Sequence, residues 1–200
     1  VEQEEIFRCI ESYLVRRAVC GLSRKNYNKA FAQQLRRLIE ADLNAASFRE
    51  ALSALSGEAS RWPGDEEFRR QWLDGSVYPG RLDAPKLRTV FHRLETEIRS
   101  EKTEEPIPLA MDSLDIDHIL PQSWYAYWPL ADGCRISKDE ALAAAPMRYL
   151  TEGVDAKSQS ILKRQDAVPR IGNLTLVHYG VNRALQNHKF DAKREALFEH

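Results

Sequence analysis

Asp117 and His118 sit side by side near the end of Leu114-Asp115-Ile116-Asp117-His118-Ile119-Leu120, a segment with strand character. Histidine titrates near neutral pH, so an imidazole in that place can take a proton from water. A carboxylate next to it can hold a hard divalent cation, and such a cation neutralises charge on a phosphate and on its leaving oxygen. Mg²⁺ keeps most of its waters, so one carboxylate and one amide oxygen are a sufficient protein share. Asp117 and Asn182 supply those two oxygens, and His118 supplies the base. The combination is that of one-metal phosphodiester hydrolysis. Neighbouring strand residues point to opposite faces. Asp117 and His118 can therefore converge on one phosphate only if the strand ends sharply, as Pro121 helps it to do.

Those side chains need a scaffold, and the pattern along the chain describes one. Residues 1–100 read as a helical bundle region. Ile6, Ile10, Tyr13, Leu14 and Ala18, then Tyr27, Phe31, Leu35, Leu38 and Ile39, recur at three- and four-residue spacings. Phe48, Ala51, Leu52 and Leu55 continue the pattern with Ser47 as expected N-cap, and Asp65 is placed to cap a short helix carrying Phe68 and Trp72. Pro85 suits the first turn of a helix bearing Leu87, Val90, Phe91, Leu94 and Ile98. Residues 101–113, charged and proline-punctuated, read as a connector. Residues 114–200 hold the chemistry. A second strand is expected at Asn173-Leu174-Thr175-Leu176-Val177 and a last helix from about Asn182. Residues 119–172, 54 in all, separate His118 from Asn173. Most of them form a long insertion at 122–170, with expected helices near Lys138–Ala145 and Asp155–Lys163. The insertion must fold back for the site to exist. Its aromatic residues Trp124, Tyr125, Tyr127 and Trp128 are expected to pack it rather than to stack on bases.

Asp117-His118-Ile119-Leu120-Pro121-Gln122 resembles the D-H-I-x-P opening of HNH, or His-Me finger, endonucleases. Arg170-Ile171-Gly172-Asn173-Leu174-Thr175-Leu176-Val177, then Asn182, then Asn187-His188-Lys189-Phe190-Asp191-Ala192-Lys193, resembles one branch of them. That branch is the C-terminal nuclease domain of GmrSD-type modification-dependent restriction enzymes and of related phosphorothioate-sensing anti-phage nickases. Glu11-Ser12-Tyr13-Leu14-Val15-Arg16-Arg17, Cys20-Gly21 and Asn26-Tyr27-Asn28-Lys29 are similar to the helical region before the motif in that branch. The resemblance implies a mainly α protein, a helical bundle plus a small ββα-metal finger. It makes His118 the general base, Asp117 and Asn182 metal ligands, and Asn173 the residue that braces the loop and orients the base. A further ligand is left open between Gln186, one turn beyond Asn182, and Asn187, which the branch pattern favours. The expected cofactor is Mg²⁺ or Mn²⁺. The cysteine pairs that hold zinc in many HNH proteins are absent from the sequence, so no structural zinc is expected.

Composition narrows the partners. The 29 Lys and Arg against 30 Asp and Glu give a net charge of -1, which excludes a uniformly basic nucleic-acid coat but not a basic face. One basic stretch contains Arg16, Arg17, Arg24, Lys25, Lys29, Arg36 and Arg37, with DNA contact and an ordinary solvated face weighed equally. The other contains Lys163, Arg164, Arg170, Arg183, Lys189, Lys193 and Arg194 and flanks the site. There, Arg170, Arg183, Lys189 and Lys193 are the expected contacts to DNA phosphates, salt-sensitive and largely sequence-independent. No apolar run reaches the ~20 residues that span a bilayer, no secretion signal is present, and the three cysteines form no C-x-x-C pair. A cytoplasmic protein without a membrane partner is expected. The chain starts at Val1 and stops at His200 inside a helical pattern, as a piece of a longer protein would. The resemblance implies an N-terminal nucleotide-hydrolysing sensor domain as the partner in the full-length protein. The alternative to a metal-dependent DNA endonuclease or nickase is a helical nucleic-acid-binding or regulatory module without catalysis.

Overall fold

The computed structural model describes residues 2–40, 44–100, 113–150, 152–185, 188 and 190–199, in two units, Val1–Leu82 and Asp83–His200. In the first unit, α1 (Glu2–Val19) carries Tyr13 against the Tyr27 and Phe31 rings of α2 (Tyr27–Glu40), and both α1 and α2 pack on α3 (Ala45–Ser53), with α4 (Asp65–Asp74) also against α1. Tyr13, Phe48 and Leu52 form its core, with Ile10, Phe31 and Trp62 against them. Tyr13 donates its hydroxyl to the Ser60 carbonyl at 2.7 Å, which satisfies the polar end of a fully buried ring.

Two helix starts differ from expectation for the same reason. The N-cap of α3 is Asn44, whose side chain accepts from Ser47 N at 2.9 Å, while Ser47 Oγ accepts from Asn44 N. Ser47 is thus the third-position half of a capping box, not the cap. At α4 the cap is Gly64; Asp65 lies inside the first turn and pairs with Arg16 at 2.6 Å. An acidic side chain there faces the positive end of the helix dipole without capping it.

The second unit begins earlier than the sequence boundary. Helix α5 (Ala84–Ser100), with Pro85 in its first turn as expected, packs on both strands, and Arg88 donates to the Leu114 carbonyl at 3.4 Å. Leu87 of its apolar stripe is fully buried while Leu94 and Ile98 are exposed, and the contacts with both strands put α5 in the second unit. The expected connector at 101–113 lies outside the described residues except for Ser113.

Strand β1 (Leu114–His118) pairs antiparallel with β2 (Leu174–His178) in a two-stranded sheet. Leu114 lies opposite His178, Asp117 opposite Thr175 and His118 opposite Leu174. Helix α8 (Tyr179–Leu185) leaves β2 without a connecting loop and packs on both strands. The single expected C-terminal helix is instead two, α8 and α9 (Phe190–Glu199), and α8 begins three residues before Asn182.

The insertion folds around its own core. Trp124, 2% exposed, packs with Leu130, Ile136, Ala141, Ala144 and Ile161. Helix α6 (Lys138–Ala144) starts at a Ser137–Glu140 capping box, and α7 (Ala156–Ala167) starts at Asp155, whose carboxylate accepts from Ser158 N at 3.0 Å. Arg164 of α7 donates to the carbonyls of Trp128 and Pro129 at 2.8 and 2.5 Å and lies over the Trp124 ring. These contacts bring the two ends of the insertion together, so that 55 residues fold back between adjacent strands. Trp124 and Trp128 pack, as expected, while Tyr127 is half exposed.

Candidate active site

β1 ends at His118, and the backbone turns away through Ile119 and Leu120. That turn is held by Asn173. Its carbonyl oxygen accepts from Ile119 N at 2.8 Å, and its side-chain Oδ1 accepts from Leu120 N at 2.7 Å. Its Nδ2 donates to the Leu120 carbonyl at 2.9 Å and to the Val168 carbonyl at 3.0 Å. One amide thus uses both its donor and its acceptor capacity to tie the segment after His118 to the end of α7. Few other side chains can do this, since an amide both donates and accepts at fixed angles.

His118 is buried, 9% exposed. Burial holds its imidazole pKa below the ordinary histidine value; Asp117 opposes that shift and Lys193 adds to it. The ring is therefore biased towards the neutral form, which a base requires. Asp117 points to the other side of the strand, the face it shares with its partner Thr175.

Lys193 lies in a different setting from the one its type suggests. It is 1% exposed, and its Nζ donates to Asp117 Oδ2 at 2.7 Å and to the His118 carbonyl at 2.7 Å. The expected phosphate contact at Lys193 is therefore corrected: α9 buries the ammonium against a carboxylate, and no surface is left for DNA. Arg164, in the same basic stretch, has its guanidinium committed to the two carbonyls of the insertion. In the first basic stretch, Arg17 is fully buried and donates to the carbonyls of Arg61, Ser23 and Ala59, and Arg16 is tied to Pro63 and Asp65. Arg24, Lys25, Lys29 and Arg36 of that stretch are exposed. Near the site Arg183 is exposed on α8 with its guanidinium over the Tyr179 ring, and Arg170 is partly buried just before Ile171. Asn182 is partly buried on α8, the helix that packs on both strands. Gln186, Asn187 and Lys189 lie outside the described residues.

Among the described residues no three acidic, histidine or cysteine side chains converge on one point. A cation at this site would rest on the Asp117 carboxylate and on amide oxygen. That donor set is hard and carries one negative charge, which fits Mg²⁺ or Mn²⁺ and not a thiophilic metal. The Asp117 carboxylate already pairs with the Lys193 ammonium, so a divalent ion there would share that carboxylate with a resident positive charge. Asp117 Oδ2 is the oxygen that receives Lys193; among the described residues no hydrogen bond falls on Oδ1.

Residues 62–200 match the C-terminal domain of GmrSD restriction endonucleases. The chain belongs to that family. The match to the GmrSD C-terminal domain includes the whole second unit and every candidate residue from Asp117 to Lys193. It leaves out residues 1–61, so the likeness read at residues 11–29 rests on the sequence pattern alone. Nothing matches the chain among curated proteins or among solved structures. Membership makes this a restriction-endonuclease effector domain. No helix among the described residues is long and apolar enough to cross a membrane.

The sequence singles out Lys193 as a phosphate contact, late ligand or structural cap, but it shows neither the pairing of Lys193 with Asp117 nor Leu120 as the anchor that Asn173 grips. Neither had a readable signal. A lysine in a mixed-charge helix looks solvated, and a backbone amide has no sequence signature.

Proposed function

We propose that this domain hydrolyses DNA phosphodiester bonds as a metal-dependent HNH-type endonuclease or nickase, the effector of a bacterial restriction or anti-phage defence protein. The observation that carries the reading is the Asn173 clamp on Leu120, which fixes the backbone two residues beyond His118. A base must be held in place more firmly than a surface histidine is, and this one is both buried and braced at the strand end. In this reading the β1–β2–α8 arrangement is the ββα finger.

His118 accepts the proton of the attacking water. Burial keeps it neutral and ready to do so. Asn173 keeps the chain after His118 from swinging, so that the ring keeps one orientation. Asp117 and Asn182 hold the divalent ion, which when bound supplies charge neutralisation at the phosphate and at the leaving oxygen. Gln186 or Asn187 completes the oxygen set. Arg183, Arg170 and Lys189 bind backbone phosphates on either side, without reading bases. The N-terminal nucleotide-hydrolysing sensor domain of the full-length protein supplies discrimination of modified DNA, and the enzyme works in the cytoplasm. By itself the domain cuts with little sequence or modification preference.

Supercoiled plasmid incubated with the chain in Mg²⁺, Mn²⁺ or EDTA, beside His118→Ala, tests the reading. Metal-dependent nicking that disappears in the variant supports it. Retained, salt-sensitive DNA binding with no cleavage under any metal favours a non-catalytic binding module.

A further inference from the structure

Lysine is rarely buried this completely, and then only when paired. Lys193 is paired in a revealing place. Its Nζ bridges the Asp117 carboxylate and the His118 carbonyl, each at 2.7 Å, and joins α9 to the end of β1 across 76 residues of sequence. These are its partners among the described residues. Asp117 is itself only 15% exposed. Without a counter-charge it would be a largely dehydrated anion, and removing one partner of such a pair is strongly destabilising.

We propose that Lys193 is the residue that sets the metal affinity of this site: a resident ammonium that neutralises Asp117 when the divalent ion is absent and keeps that ion weakly held and exchangeable when it is present. The inference rests on reading Asp117 as a ligand. Any cation taken by Asp117 must share one carboxylate with Lys193. The ammonium draws on Oδ2, so Asp117 offers its other oxygen alone and with part of its charge already satisfied. The two positive charges repel, and in a buried setting salt screens that repulsion little. The helix anchoring Lys193 keeps the ammonium from moving out into solvent as a surface lysine would. Two opposite consequences follow for its removal. The metal-free protein loses stability, because Asp117 is left uncompensated, and the divalent ion binds more tightly, because its competitor has gone. A lysine that merely packs α9 against the sheet gives the first effect without the second.

The experiment is direct binding of Mn²⁺, followed by the electron paramagnetic resonance of the free ion, to the wild-type chain, Lys193→Met and Lys193→Arg. Methionine keeps the unbranched stem and removes the charge; arginine keeps the charge. The expected result is Mn²⁺ binding at least tenfold tighter in Lys193→Met and close to wild type in Lys193→Arg. A lower melting temperature in the metal-free Met variant, with a larger upward shift on adding Mn²⁺, is expected alongside. Unchanged or weaker Mn²⁺ binding in Lys193→Met overturns the proposal while the metal-site reading stands. No Mn²⁺ binding by either wild type or Lys193→Met overturns both. If the Met variant does not fold, the wild-type chain decides through its lysine ammonium resonances, with Lys193 assigned by its loss in Lys193→Arg. The Lys193 signal is expected to shift as Mg²⁺ fills the site; a signal that stays put while Mg²⁺ binds overturns the proposal.

Discussion

Asn173 and Leu120 are joined through both polar groups of the Leu120 backbone: the amide side chain of one accepts from the N–H and donates to the C=O of the other, at 2.7 and 2.9 Å. Replacing Asn173 by alanine deletes both bonds and the one to Val168. The expected loss of stability is about 2 kcal/mol, since the freed groups are only partly buried and can recruit water. Nicking should fall further than stability, by roughly ten- to a hundredfold, because a small displacement of a catalytic group is enough for that. Urea unfolding and plasmid nicking, measured on the same preparation, check both. Asn173→Asp keeps the acceptor and loses the donors, and should fall between alanine and wild type.

The pH dependence follows from the direction of the His118 shift. Its folded pKa lies below the unfolded value of about 6.5. Protonation therefore favours the unfolded chain, and the associated stability is present above that value and is lost as pH falls through the folded pKa. The acid limb of the nicking rate is expected below pH 6.5 for the same reason. A divalent ion beside the ring moves the limb in the same direction. Single-turnover nicking between pH 5 and 8 measures it; a midpoint above 6.5 contradicts the burial argument.

Arg183 is exposed, so its removal should alter DNA affinity and little else. Arg183→Ala is expected to weaken binding uniformly across sequences and to reduce the slope of log affinity against log salt by about 1. Its unfolding free energy should stay within about 0.5 kcal/mol of wild type. Fluorescence anisotropy over a salt series supplies the slope.

Trp124 anchors the insertion. Trp124→Ala should cost about 3–5 kcal/mol, the range for removing a large buried aromatic. The same ring lies under the Arg164 guanidinium, which ties the insertion's two ends together. Hydrogen exchange should therefore speed up in β1 and β2 as well as in α6 and α7, although Trp124 lies in neither strand.

The sequence made some of this plain and hid the rest for identifiable reasons. Both strands were legible because Leu114, Ile116, Leu174 and Leu176 alternate with polar residues. The role of Trp124 was legible because a large aromatic beside a proline-bounded turn has little to do but pack. The start of α3 was misplaced by three residues because Asn44 and Ser47 are both capping types, and only the backbone tells which one precedes the helix. The burial of Arg17 and of Lys193 had no local signal in the sequence. Arg17 finds the carbonyls of Ala59 and Arg61 more than 40 residues away, and Lys193 finds Asp117 at 76. Periodicity reports which face of an element is apolar; it does not report that a charge is needed inside that face.

The length of the insertion has a consequence for how the domain is made. β1 and β2 pair across more than fifty residues, and closing so long a loop on an unstructured chain is slow even though each doubling of its length adds only about 0.6 kcal/mol. The Trp124 core, its capped helices and the Arg164 bonds hold residues 128 and 164 together, and wherever they form ahead of the ladder they shorten that search. The strand ladder then has only to close between ends already near one another, and Lys193 reaches Asp117 from α9, which follows both strands in sequence. During synthesis Asp117 and His118 therefore leave the ribosome before Asn173 and Lys193, the partners that hold them, have been made.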